Sequence, residues 1–149
     1  MTSAPRVSVA RTDEDRAACF AVRRVVFVTE QQVPEEIEYD AHDATAVHLL
    51  ARSADGTPLG TGRLLTGIEG PGTGSLGRLA VTRAARGLGI GAALVRAIET
   101  EAARLGLTAV DLHAQTRALG FYERLGYEAY GPEFEDAGIP HRAMRRSLV

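Results

Sequence analysis

The chain has 149 residues, 45% of them hydrophobic and 24% charged, with a net charge of −2. All seventeen basic residues are arginine, and lysine, asparagine and tryptophan are missing altogether. That excludes a lysine Schiff base, a Walker-type phosphate loop and sequon glycosylation. A near-neutral balance also argues against nucleic acid as partner, because displacing counterions needs a cationic surplus.

This length fits one domain, 1–149. Arg6–Ala10 alternates like a short strand. Thr12 followed by Asp13, Glu14 and Asp15 is a capped helix start. Ala17, Phe20, Ala21, Arg24, Val25 and Val28 continue that helix, and Pro34 forbids its extension. The following segment holds Glu35, Glu36, Glu38, Asp40 and Asp43 without an arginine, and reads as a solvated loop or the rim of a cation-receiving pocket. Val47–Arg52 and Leu59–Thr66 read as strands joined at Asp55-Gly56. A glycine-rich loop, Ile68–Gly74, precedes an apolar strand, Leu76–Val81. From Ile90, the residues Leu94, Ala97, Ile98, Ala102 and Leu105 mark one face of a helix that Gly106 stops. Thr108–His113 is another strand, and Arg117–Leu125 a short helix closed by Gly126. Tyr127–Tyr130 and Arg142–Leu148 read as two final strands around a long loop, Gly131–His141. The order is that of a mixed α/β sheet.

No acid occurs between Arg78 and Ile98, where Arg78, Arg83, Arg86 and Arg96 accompany Gly87, Gly89 and Gly91. Glycines before a helix N-terminus bring free N–H groups close to a phosphate, and arginines add charge-assisted contacts. Gly87-Leu88-Gly89-Ile90-Gly91-Ala92 formally fits a dinucleotide fingerprint, with Asp111 as ribose contact. Thr82 to Arg86 lengthen its turn, however, and the rest of the chain cannot supply a second βαβ half and a catalytic domain.

Arg86-x-x-Gly89-x-Gly91 resembles the central motif of the Gcn5-related N-acetyltransferases (GNAT), R/Q-x-x-G-x-G/A. Ala118 to Tyr127, with Phe121-Tyr122 and Gly126-Tyr127, is similar to that family's closing helix. Phe27–Pro34, the acid-rich Glu35–Asp43 and Gly138–His141 resemble its YjcF/ElaA-like branch. The resemblance implies a mixed, mostly antiparallel central sheet flanked by helices. It implies acetyl-CoA as acyl donor, with its pyrophosphate on Arg86, Gly87, Leu88, Gly89, Ile90 and Gly91 and its pantetheine arm along Leu79, Ala80 and Val81. The family often carries an asparagine on the CoA side. This chain has none, which leaves Gln115 as the candidate substitute.

Acyl transfer to an amine needs a base, an oxyanion donor and an acid for the departing thiolate. The resemblance gives the acid role to Tyr122, and a bulge near Ala80–Val81 would free a backbone N–H. Glu30 and His141 are the leading base candidates, with His48 and His113 as others. The histidine spacings offer no metal pair, and Cys19 reads as packing. The expected activity is acetyl transfer to a primary amine on a small molecule or peptide, without metal, nucleic acid or membrane. Without an apolar leader or span, the chain is expected in the cytoplasm, and the resemblance suggests a homodimer. The alternative is a CoA-binding regulatory module that has lost catalysis.

Overall fold

Thr12 starts the first helix, its hydroxyl accepting from the Asp15 N–H at 3.0 Å. The computed structural model describes residues 5–149. Strand β1 (Arg6–Val9) leads into α1 (Asp13–Arg23), which winds on as a π-helical stretch, Arg24–Glu30. The acidic segment forms a single-turn helix, α2 (Glu35–Glu38), and a 3-10 turn, Ala41–Ala44, where an open loop was expected. Asp40 caps the second turn by accepting from the His42 N–H, and Asp43 accepts from the Asp40 N–H in return.

Strands β2 (Val47–Arg52), β3 (Pro58–Thr66) and β4 (Thr73–Val81) follow as a meander. Helix α3 (Ile90–Arg104) then carries the chain to β5 (Ala109–Gln115). A 3-10 turn and α4 (Leu119–Arg124) precede the hairpin of β6 (Glu128–Asp136) and β7 (Ile139–Ser147). The hairpin turns at Ala137-Gly138, so most of the expected long loop is strand. Its irregularity survives as a bulge in which Gly131–Glu133 oppose Arg142 alone. Gly131 has φ +73°, and Pro132 has no N–H for the ladder.

The sheet order is β1-β2-β3-β4-β5-β7-β6. Among the described residues only β4 and β5 run parallel, and the other pairs are antiparallel. The mixed, mostly antiparallel sheet is therefore the expected one. A parallel pair needs a crossover, which α3 supplies. Its stripe of Ile90, Leu94, Ile98 and Ala102 is buried on Leu49, Leu64, Leu76, Leu112 and Met144. Leu94 is fully buried, so Leu94→Ala would cost about 3 kcal/mol. On the opposite face, α1 and the π-helical stretch pack Cys19 against Leu50, and Val22 and Val26 against Ala80.

One departure from regularity positions everything below. Strands β4 and β5 pair only through Thr73–Leu76 and Ala109–Leu112, although they run on to Val81 and Gln115. Beyond Leu76 and Leu112 the two strands part and leave a wedge in the sheet.

Candidate active site

The wedge opens into a cavity of about 970 Å³. Its walls join the glycine loop, the start of α3, Tyr122, and the far ends of β5 and β7. At the loop end, Gly87 and Gly89 both have φ +81°, a region that side chains with a Cβ enter at a cost of about 1–2 kcal/mol. Gly89 is the N-cap of α3, and no side chain caps the helix there. The first-turn N–H groups of this long helix therefore lack a side-chain partner, as an anion site requires, and Gly89 to Ala92 line the cavity. A Cβ at Gly91 would stand 3.2 Å from the Phe121 ring, so this glycine allows α4 to close on α3.

Of the four arginines expected around this loop, the structure brings two. Arg86 donates to the Val81 carbonyl at 3.1 Å and to the Glu30 carboxylate at 2.8 Å. Arg83 lies 3.7 Å from the same carboxylate. Arg96 turns away to Glu99 and the Leu125 carbonyl. Arg78 is spent elsewhere. The backbone donors and the Arg83 and Arg86 guanidiniums fit a pyrophosphate in charge and chemistry. Leu88, two-thirds exposed, lies at the loop tip outside the cavity wall.

Next to the loop, β4 carries the expected bulge, displaced upstream. Thr61 pairs with Ala80 and Arg63 with Gly77, so Arg78 and Leu79 together oppose Gly62. Arg78 sits in the left-handed region with φ +51°. Ala80 and Val81 keep their partners on β3, which moves the free backbone from Ala80–Val81 to Arg78–Leu79. Leu79 and Val81 line the cavity, whereas Ala80 packs on the opposite face.

The candidate chemical groups separate clearly. Tyr122 lines the cavity, its ring wedged edge-on between Phe121 and Tyr127. Burial alone pushes its phenol far above the ordinary value, so the proton stays on the oxygen. His141 and His113 also line the cavity, on either side of the Phe134 ring. His141 Nδ1 lies 2.7 Å from the Ile139 carbonyl oxygen. A carbonyl only accepts, so Nδ1 holds the hydrogen and Nε2 presents a lone pair. His48 is buried and satisfied, its Nε2 donating to the Asp43 carbonyl at 3.0 Å. Glu30 is neutralised by Arg86 and Arg83 and is absent from the cavity wall. It sits beside the arginines at the start of the glycine loop. Gln115 has its amide engaged at both ends, donating to Gln31 at 2.8 Å and accepting from Arg117 at 2.9 Å.

The acidic segment does not form an open rim for a cation. Arg23, 1% exposed, donates to Glu38 and Asp43 at 2.6 Å each. Arg63 grips both oxygens of Asp40, at 2.8 and 2.9 Å, and reaches Asp43 at 2.8 Å. Arg78 donates to the Glu38 carbonyl at 3.1 Å and to Asp40 at 3.3 Å. Three guanidiniums thus offset three carboxylates, and Glu35 is taken by Arg24. Burial raises the Asp43 carboxyl, but Arg23, the Asp40 N–H and Arg63 outweigh it and hold the group well below the carboxylate range. Around Arg78, burial and then the Arg63 and Arg23 charges lower the guanidinium's pKa. The sequence carried a signal for this network: Arg63 and Arg78 stand alone in strands, where a charge cannot be buried without a partner.

At the far end, carboxylate and imidazole atoms of Glu69, Asp111 and His113 lie within 4.8 Å of one another. Asp111 already accepts from Arg145 at 3.1 Å and from Tyr130. It is therefore a structural partner inside β5 and not a ribose contact. No helix among the described residues is long and apolar enough to cross a membrane.

Comparison with known proteins agrees with this geometry. The acetyltransferase (GNAT) domain model matches residues 11–148. The uncharacterized N-acetyltransferase YjcF of Bacillus subtilis is 37% identical over 139 residues, 93% of this chain and 96% of the relative. An acyl-CoA N-acyltransferase structure from Pseudomonas aeruginosa is 33% identical, with TM-score 0.83 over 98% of this chain and 99% of its own. Escherichia coli ElaA superimposes with TM-score 0.81 at 26% identity, over 98% and 99% of the two chains. With the parted strands, the glycine loop at α3 and Tyr122 at the wedge, these matches lead to one conclusion: the chain belongs to the acetyltransferase (GNAT) family.

Proposed function

We propose that the protein is an acetyl-CoA-dependent N-acetyltransferase that moves the acetyl group directly to a primary amine. The observation that carries the reading is one cavity that joins an uncapped helix N-terminus behind a glycine loop, parted strands and the buried Tyr122. Arg86 to Gly91 hold the donor's pyrophosphate, and the unpaired edge of β4 from Arg78 to Val81 receives the pantetheine arm. A backbone N–H at the Arg78–Leu79 bulge polarises the thioester carbonyl. His141 Nε2 takes the proton from the attacking amine, directly or through one water. The new C–N bond forms, the C–S bond breaks, and Tyr122 gives its proton to the departing thiolate. The reading includes one domain over residues 1–149, acting in the cytoplasm on a small-molecule or peptide amine.

The test is acetyl-CoA titration by calorimetry, followed by a pool of primary amines with detection of free thiol. Saturable acetyl-CoA binding and amine-dependent thiol release are expected. Binding without release from any amine would leave only the regulatory module. No binding of acetyl-CoA would remove the reading.

A further inference from the structure

Arg78 is the one residue other than glycine, among those described, that takes a left-handed conformation inside a strand: Gln32 and Ala137 do so in connections. Gly77, its neighbour, would accept that conformation freely, yet the strain falls on the residue with the long side chain. A strained backbone persists when its surroundings over-determine it. Here those surroundings are specific. Arg78 Nε donates to the Glu38 carbonyl at 3.1 Å, and Nη2 to the Ile37 carbonyl at 3.4 Å and to Asp40 at 3.3 Å. These partners do not float, because Arg23 holds Glu38 from below and Arg63 holds Asp40 in a two-pronged grip.

The peptide after Arg78 carries the Leu79 N–H, so the backbone angles of Arg78 set where that N–H points. Arg78 and Leu79 are also the two bulged residues opposite Gly62, and they lie beyond the last β4–β5 pair. We infer that Arg78 is a positioning residue, which anchors the bulge to the acidic segment so that its backbone N–H faces the thioester carbonyl. The acidic segment then works by fixing the bulge, not by attracting the acceptor. Ile37, Glu38 and His42 of that segment also wall the acceptor end of the cavity. The Arg78 contacts therefore tie this wall to the bulge. This inference rests on the acetyl-CoA reading above.

The test needs no knowledge of the acceptor. Infrared difference spectra are taken with acetyl-CoA isotope-labelled at the acetyl carbonyl. Wild-type protein is expected to move the carbonyl band to lower frequency than in free acetyl-CoA. Arg78→Gly accepts φ > 0 without strain, so it keeps the fold while losing the anchor. It is expected to retain saturable acetyl-CoA binding through the Arg86–Gly91 loop and to lose most of the band shift at saturation. Asp40→Asn leaves Arg78 in place but loosens its grip, and is expected to lose part of the shift. Arg78→Gly with the full wild-type shift would overturn the inference, as would an unchanged shift in Asp40→Asn. Wild-type protein that binds no acetyl-CoA would overturn the underlying reading and this inference with it, a result distinct from the other two.

Discussion

Arg86 and Glu30 form an ion pair at 2.8 Å that ties the glycine loop before α3 to the end of the π-helical stretch. Glu30 is largely covered and Arg86 nearly half exposed, so the pair occupies the margin where an anionic ligand would approach. On the proposed reading, the donor's phosphate and the Glu30 carboxylate compete for one guanidinium. Glu30→Gln should tighten CoA binding two- to fivefold, the equivalent of about 0.4–1 kcal/mol for a partly exposed pair. Calorimetry measures it. Turnover should stay near wild type, whereas a collapse of kcat would return Glu30 to the chemistry.

Tyr122→Phe removes a hydroxyl that burial alone perturbs, within a ring packed on Phe121 and Tyr127. The thermal midpoint and the Kd for acetyl-CoA should hold. By contrast, kcat should fall about a hundredfold, the usual contribution of a general acid. A variant with undiminished kcat would take the acid role from Tyr122.

His141→Ala should lower kcat about a hundredfold, and added imidazole should restore part of the rate. His113→Ala faces the same cavity without the Nδ1 contact that fixes the His141 tautomer, and should lose less. The reverse order would move the base to His113.

Asp43, fully covered between Arg23 and Arg63, should make the fold sensitive to acid. Its folded pKa is depressed, as is that of Asp40 beside Arg63. The stabilisation is therefore complete above the unfolded-chain value of about 3.9. It is lost as pH falls through the lower folded values. Asp43→Asn should cost about 3 kcal/mol at neutral pH, since it leaves buried guanidiniums undercompensated. Denaturant midpoints taken down the acid range should show the two proteins converging, and parallel curves would refute the assignment.

The sequence by itself determined what depends on neighbours along the chain. Helix α3 followed from its stripe of Ile90, Leu94, Ile98 and Ala102, and the tight loop before it from Gly87 and Gly89 at that helix's start. The order of the seven strands and of α1, α3 and α4 was equally legible, because alternation and helical spacing are local, whereas the single-turn α2 was not. So was the likeness that pointed to Tyr122. What the tertiary structure alone decided was which charges meet. Arg78 stands in an acid-free run of sequence, yet its guanidinium closes on Glu38 and Asp40, forty and thirty-eight residues away. Glu30 reaches Arg86 across fifty-six residues and stays off the cavity wall that His113 and His141 line. An electrostatic contact acts through space and cannot be read from a linear run of like charges. The bulge at Arg78 depends likewise on the register between β3 and β4, which is fixed only when both strands and the acidic segment close on one another.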